Sequence, residues 1–290
     1  MREKLFSARE KRVHPFRDDK ILTSWNGLMI AALSYAGRVL NRSEYVVAAE
    51  KSARFIMDRM TRDDGRLLSR YRDGEAANPG LLDDYAFLAW GLIEAYTATF
   101  EVSSLEEAVR LTERMIELFW DDEEGGFFLT GKDSEQLILR PKDFYDGAVP
   151  SGNSVAAMNM VKLARITGNG KYEPFIEGLF RAASGIAGTS PYACTHLIDA
   201  YMNYLNPDLD IAIVGGLDEQ GTKEMLRAYN ESYLPFSTIV QSDGKTASER
   251  LPSLKGKEKI NGKATAYVCR NFSCGAPTDD PEEFKKMIVS

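Results

Sequence analysis

A pair of helical patterns recurs three times along this chain, and no other feature limits its fold so tightly. An almost wholly apolar segment is followed by a charged, amphipathic one at residues 25–40 and 43–60, again at 84–99 and 104–119, and again at 154–167 and 172–183. A period of roughly sixty to seventy residues is the mark of a repeat architecture. A helix apolar on every side has to be buried on every side, and an amphipathic one lies at the surface. Alternating inner and outer helices build an α/α toroid. The expected fold is therefore mainly α, a partial toroid of helical hairpins. A fourth inner helix starts at Ser190-Pro191, a good N-cap followed by proline, and runs to about Leu205 without an outer partner.

The connections repeat as well. After the first pair, residues 63–74 read as turn, strand, turn and return strand, and residues 121–130 read the same way after the second. From Pro207 the character changes. Residues 210–216 form a buried-strand pattern, 222–232 a helix, and 236–241 and 264–269 two further strands. The expected division is a partial toroid over 1–206 and a small α/β appendix over 207–290, packed on the toroid. Gly215-Gly216 follows a strand, yet no complete phosphate-loop motif is present, so a tight strand-to-helix turn is the simpler reading. The opening stretch, residues 1–12, reads as the charged face of a helix or a basic leader before Pro15 ends it.

Composition excludes several classes. The net charge of −7 argues against nucleic acid and anionic membrane surfaces as partners. No apolar run is long enough to span a bilayer, and residues 1–12 have no apolar core of the signal-peptide kind. Three cysteines, Cys194, Cys269 and Cys274, are too few for a disulfide framework, which points to a reducing, cytoplasmic setting. They also do not supply a tetrahedral metal site, so neither a metal nor another cofactor is expected.

Chemistry is expected where chain enters the inner helices. The segments 18–27, 79–85 and 144–154 each bring carboxylate, aromatic and amide or hydroxyl groups to an inner-helix N-terminus. In a toroid those ends converge on one mouth. Sugar recognition needs this mixture, with aromatic faces for C–H surfaces and Asp or Asn for hydroxyls, and sugar chemistry needs paired acid and base groups. The candidate acid/base groups are Asp84 with Asp19 or Asp146. The candidate substrate-binding residues are Trp25, Asn26, Asp83, Tyr85, Tyr145, Ser151 and Asn153. The competing reading is that Asp, Ser and Asn at helix starts are caps that complement the helix dipole. His196, mid-helix beside Leu197 and Ile198, reads as a packed histidine.

Four stretches resemble the YyaL-like family, which includes the spermatogenesis-associated thioredoxin-domain proteins. They are residues 18–30, 82–88, 146–156 and 266–274, in order along nearly the whole chain. The resemblance implies a six-hairpin, glycosidase-like α/α barrel that follows a thioredoxin-like domain in longer members. This chain carries no CxxC motif and resembles the C-terminal part of such a protein. What the resemblance implies for activity is a carbohydrate-active pocket, glycoside hydrolase-like or sugar epimerase-like, by analogy of fold. The alternative is a non-catalytic binding or scaffold module that assembles with an N-terminal portion or with a second copy. The partners expected are thus a small carbohydrate and such a protein surface.

Overall fold

The computed structural model describes residues 1–290 apart from 136–137, 207–208, 244–250, 271–272 and 290. A short exposed helix, α1 (Arg2–Glu10), precedes three helical hairpins. These are α2 (Thr23–Val39) with α3 (Ser43–Arg59), α4 (Leu82–Thr99) with α5 (Val102–Phe119), and α6 (Gly152–Thr167) with α7 (Glu173–Thr189). α8 (Thr195–Leu205) follows as a fourth inner helix. α4 packs against α2 on one side and α6 on the other, and α8 packs against α6, so the inner helices form an arc in chain order. The fold is mainly α, an arc of an α/α toroid with a small α/β region.

The repeat expected from sequence sets this arrangement directly. α4 is buried on nearly all sides, whereas α5 buries only Leu105, Ala108, Leu111, Thr112, Met115, Leu118 and Phe119. α2 and α4 approach closely because both carry glycine at the crossing. A Cβ on Gly27 would lie 2.5 Å from the Phe87 carbonyl carbon, and one on Gly91 would lie 2.8 Å from the Gly27 oxygen. α2 departs from all-round burial. Trp25, Met29, Tyr35 and Val39 are exposed, as is Leu40 just past its end.

The two expected hairpin connections differ. The first forms as β2 (Leu68–Arg72) and β3 (Glu75–Pro79), which pair antiparallel and carry β1 (Ile21–Leu22) on the edge. The second does not form strands. Gly125 and Gly126 both take φ +76°, a tight turn that leaves one bridge between Trp120 and Phe127. Asn153 then replaces the missing strand. Its amide nitrogen donates to the Phe127 oxygen at 2.9 Å, and the Phe127 N–H donates to its Oδ1 at 2.7 Å.

The start of α8 also differs from expectation. Residues Pro191–Ala193 form a 3-10 turn, Cys194 breaks from helical geometry, and Ser190 makes no side-chain cap. The cap comes instead from Asp146, whose Oδ2 accepts from the His196 and Leu197 N–H groups at 2.8 and 3.3 Å.

The remaining chain forms a four-stranded sheet in the order β5-β4-β6-β7, from β4 (Asp210–Val214), β5 (Thr238–Ser242), β6 (Thr265–Arg270) and β7 (Ser273–Cys274). β4 and β5 are parallel, joined by the crossover helix α9 (Gln220–Glu231), and α10 (Pro281–Val289) packs on α9. Side chains on β4 alternate between two cores, as strand geometry requires. Ala212 and Val214 join the cluster that fills the helical arc, and Ile211 and Ile213 join Met225, Phe284 and Ile288 beneath α9 and α10. The sequence division between 206 and 207 falls at residues 207–208, outside the described set. Gly215 and Gly216 form the strand-to-helix turn, with the Gly216 N–H donating to Glu219 Oε1 at 2.6 Å.

Cys269 and Cys274 are opposite partners on β6 and β7 and form a disulfide, and Cys194 is a buried free thiol. Among the described residues, no helix is long and apolar enough to cross a membrane.

Candidate functional site

The inner-helix starts carry the residues singled out from sequence, and most of their polar atoms are engaged in holding the fold. Asp84 is buried and makes the capping interaction of its own helix, with the Leu81 N–H donating to Oδ2 at 2.9 Å. Its other contacts reach outward. The Ser69 hydroxyl donates to Oδ2 at 2.6 Å, and the Ser24 N–H at the start of α2 donates to Oδ1 at 2.9 Å. Burial raises its carboxyl above the usual range despite these donors. Asp146 links two elements in the same manner, taking the Ser151 N–H on Oδ1 and the first amides of α8 on Oδ2. Asp19 is exposed and sits 3.2 Å from Arg72 Nε. These three carboxylates therefore lie at three separate junctions, and no contact among the described residues links them.

The binding candidates divide likewise. Tyr85 is fully buried, and its hydroxyl accepts from the Leu67 N–H at 2.9 Å and from Arg66 Nη1 at 3.1 Å. Ser151 caps α6 through the Ser154 N–H, and Asn153 clamps Phe127. Asn26 turns to the outer layer, donating to the Leu22 oxygen and accepting from the Ser52 hydroxyl. Trp25 and Tyr145 remain exposed, at 67% and 60%. Asp83 is half-buried and is pushed up to about 6, first by burial and then by the neighbouring carboxylates of Asp84 and Asp143. A carboxyl in that range holds a proton at mildly acid pH and gives it up near neutrality.

A second constellation lies deeper, where the inner helices face the axis of the arc. Leu28, Ala32, Tyr35 and Val39 of α2, Trp90, Glu94 and Thr97 of α4, and Met158, Lys162 and Ile166 of α6 line a cavity of about 450 Å³. These residues recur every three or four positions, so each set is one helix face. His196 from α8 adds to the wall, and residues 229–239, between α9 and β5, close the floor. Extending the α4 face by seven residues toward its start reaches Asp83, roughly 10 Å above Trp90 along the helix. Extending the α2 face reaches Trp25. Trp25 and Asp83 thus share helix faces with the cavity wall, although neither lines the cavity itself.

The lumen is mostly apolar but carries buried charge. Glu94 Oε1 accepts from Lys162 Nζ at 2.7 Å, and Glu94 Oε2 lies 3.9 Å from Arg38 Nη2. Burial alone would raise the Glu94 carboxyl, but Lys162 and Arg38 outweigh it and hold it below the usual range. Arg38 also donates to Asn230 Oδ1 at 2.9 Å and lies over the ring of Tyr35, 4.7 Å from its centre. The His196 ring lies 5.3 Å from that of Trp90. Burial lowers its pKa against the opposing charges of Asp146 and Asp199, so the imidazole is neutral near pH 7. Its Nε2 and Arg38 Nε are both buried without a hydrogen-bond partner.

Sequence reasoning passed over Arg38, Glu94 and Lys162 and took His196 as packing. The signal was present, since Arg38, Glu94 and Lys162 each interrupt the apolar pattern in the second half of an inner helix. Among the described residues, no group of three or more metal-binding side chains clusters.

No family model matches the chain. Over 99% of its length it resembles spermatogenesis-associated protein 20 of Homo sapiens, at 34% identity across 299 residues, and it covers 38% of that protein. An uncharacterized protein of Caenorhabditis elegans is 28% identical over 296 residues, with 40% of its length covered. The chain thus spans about two fifths of the curated relatives it matches. Among solved structures, it superposes on a sugar epimerase from a ruminal bacterium with a TM-score of 0.52 at 15% identity, covering 73% of this chain and 60% of that one. A family 76 α-mannanase from Bacteroides thetaiotaomicron gives 0.53 at 14% identity, covering 64% and 52%. At such identities the likeness is one of fold, and the fold shared is the α/α toroid of glycosidase-like enzymes.

Proposed function

We propose that this relative of spermatogenesis-associated protein 20 is a carbohydrate-active domain that holds a sugar in the lumen of its helical arc. The observation that carries the reading is the lumenal cavity itself. It combines an aromatic wall, Trp90 and Tyr35, with buried charged groups, Arg38, Glu94 and Lys162, and a histidine with a free ring nitrogen. Aromatic faces take the C–H surface of a pyranose, and the charged groups take its hydroxyls. The fold likeness to a sugar epimerase and a mannanase supports the same reading.

Acid/base chemistry on the bound sugar falls to two groups with shifted protonation. His196 is neutral and offers an unpartnered nitrogen as a base within the cavity. Asp83, in the first turn of α4, is a carboxyl with its pKa at about 6 and suits proton transfer near neutral pH. Asp84 and Asp146 support the reading as positioning groups. They fix the helix starts from which Asp83 and His196 project.

The test is a sugar-binding titration followed by NMR of the full chain, using mono- and disaccharides. Trp90→Ala should weaken the bound sugar by about tenfold or more, in line with loss of an aromatic anchor. A chain that binds no sugar, or a Trp90→Ala variant that binds as well as the parent, overturns the reading.

A further inference from the structure

The charges at the bottom of the lumen do not balance. The ionised groups lining the cavity are Arg38, Glu94 and Lys162, two cations that share one carboxylate. Their side chains are 12%, 8% and 19% exposed. Removing charge from water is costly unless each charge is matched, so an excess cation in such a place demands a counter-charge. The rest of the molecule runs the other way, with a net charge of −7.

The donors are unfilled as well. Lys162 has three N–H groups and donates one hydrogen bond, to Glu94. Arg38 directs its Nη atoms to Asn230 and Glu94, and its Nε stays buried without a partner. His196 Nε2 is a further unfilled atom in the same cavity. Glu94 lies one helical turn beyond Trp90, about 6 Å along the axis. That is the reach from a ring stacked on Trp90 to an anionic group on an exocyclic carbon.

We propose that the sugar taken by this lumen is an acidic one, bearing a carboxylate or a phosphate seated on Arg38 and Lys162. This rests on the sugar-binding reading above and adds the substrate class to it. Carboxylate and phosphate share the chemistry that the seat recognises, a compact anion accepting charge-assisted hydrogen bonds from a guanidinium and an ammonium.

The experiment is calorimetric titration of the full chain with D-glucose, D-glucuronate, D-glucose 6-phosphate and inorganic phosphate at matched ionic strength. One of the two acidic sugars is expected to bind at least tenfold tighter than glucose, and which one separates carboxylate from phosphate. Lys162→Met should remove that preference. Glu94→Gln frees both cations and should tighten the acidic sugar severalfold, which keeps the proposal testable if the Lys162 variant does not fold. Glucose binding as tightly as the tighter of the two acidic sugars overturns the acidic-sugar proposal and leaves the sugar-binding reading standing. Inorganic phosphate binding as tightly as glucose 6-phosphate, with neither glucose nor glucuronate bound, overturns the sugar-binding reading and this proposal with it.

Discussion

Asp83 and Asp84 are neighbours in sequence with opposite surroundings. Asp84 collects donors from three elements, while Asp83 faces two other carboxylates and is pushed up from 3.8 to about 6. The folded protein therefore holds the Asp83 proton more tightly than the unfolded chain does. Stability from this group is fully present below pH 3.8 and is lost as pH rises through about 6. A rise of that size is worth about 3 kcal/mol at most. Asp83→Asn should remove the cost of ionising a buried carboxyl, so the variant gains about 1–3 kcal/mol at about pH 8 and much less at about pH 4. Urea unfolding at both pH values checks this, and an equal change at the two would count against a buried, proton-holding Asp83. Which of two adjacent aspartates is the cap and which is free was not legible in the sequence. Both stand at a helix start, and the answer depends on Ser24 and Ser69, which arrive from other elements.

At the scale of the element, the hydrophobic period carried almost everything. The helical pairs start within about two residues of where the pattern places them, because burial on all sides or on one side is written directly into composition, and only α7 runs well past its expected end, to Thr189. What the pattern did not carry is how one element replaces another. The second expected hairpin is absent because Asn153, 26 residues further along, supplies both hydrogen bonds of a strand partner. The α2–α4 crossing makes a sharper claim. Gly27 meets the Phe87 backbone at a distance no Cβ tolerates, so Gly27→Ala has to force the two inner helices apart. The expected cost is about 1–3 kcal/mol, as is usual for overpacking, read from thermal or denaturant unfolding. A stable Gly27→Ala protein with unchanged unfolding would show that the crossing is looser than described.

At the scale of the molecule, Arg165 joins the arc to the sheet. From α6 it reaches Asp210 at the start of β4, Asn203 of α8, and the Leu209 and Phe236 carbonyls. The apolar core crosses the same junction, through Ala212, Val214 and Val240. Unfolding should accordingly be one cooperative transition. Arg165→Met takes one donor from each of four acceptors, of which Asp210 and the Leu209 carbonyl keep a second from Thr238, and should destabilise by about 3–5 kcal/mol, the loss seen when one partner of a buried network is removed. Calorimetry is expected to resolve the sheet melting ahead of the arc in this variant; a single unshifted transition would dissociate Arg165 from the coupling. The lumen was half legible at this scale. Charges on apolar helices could be read from sequence, but their convergence required knowing that the second halves of α2, α4 and α6 meet.

The helix starts have a consequence for how such a chain can change. α2 takes a cap from Asp84 in the next hairpin, and α8 takes its cap from Asp146 in the connection ahead of the previous inner helix. The second hairpin cut from this arc would carry away the cap of α2 along with its own. The units are similar in pattern yet not interchangeable. Deletion of the second hairpin would orphan an amide at the start of α2, and loss of the connection ahead of α6 would orphan those of α8, so diversification should proceed by substitution within a fixed number of units rather than by gain and loss of whole repeats.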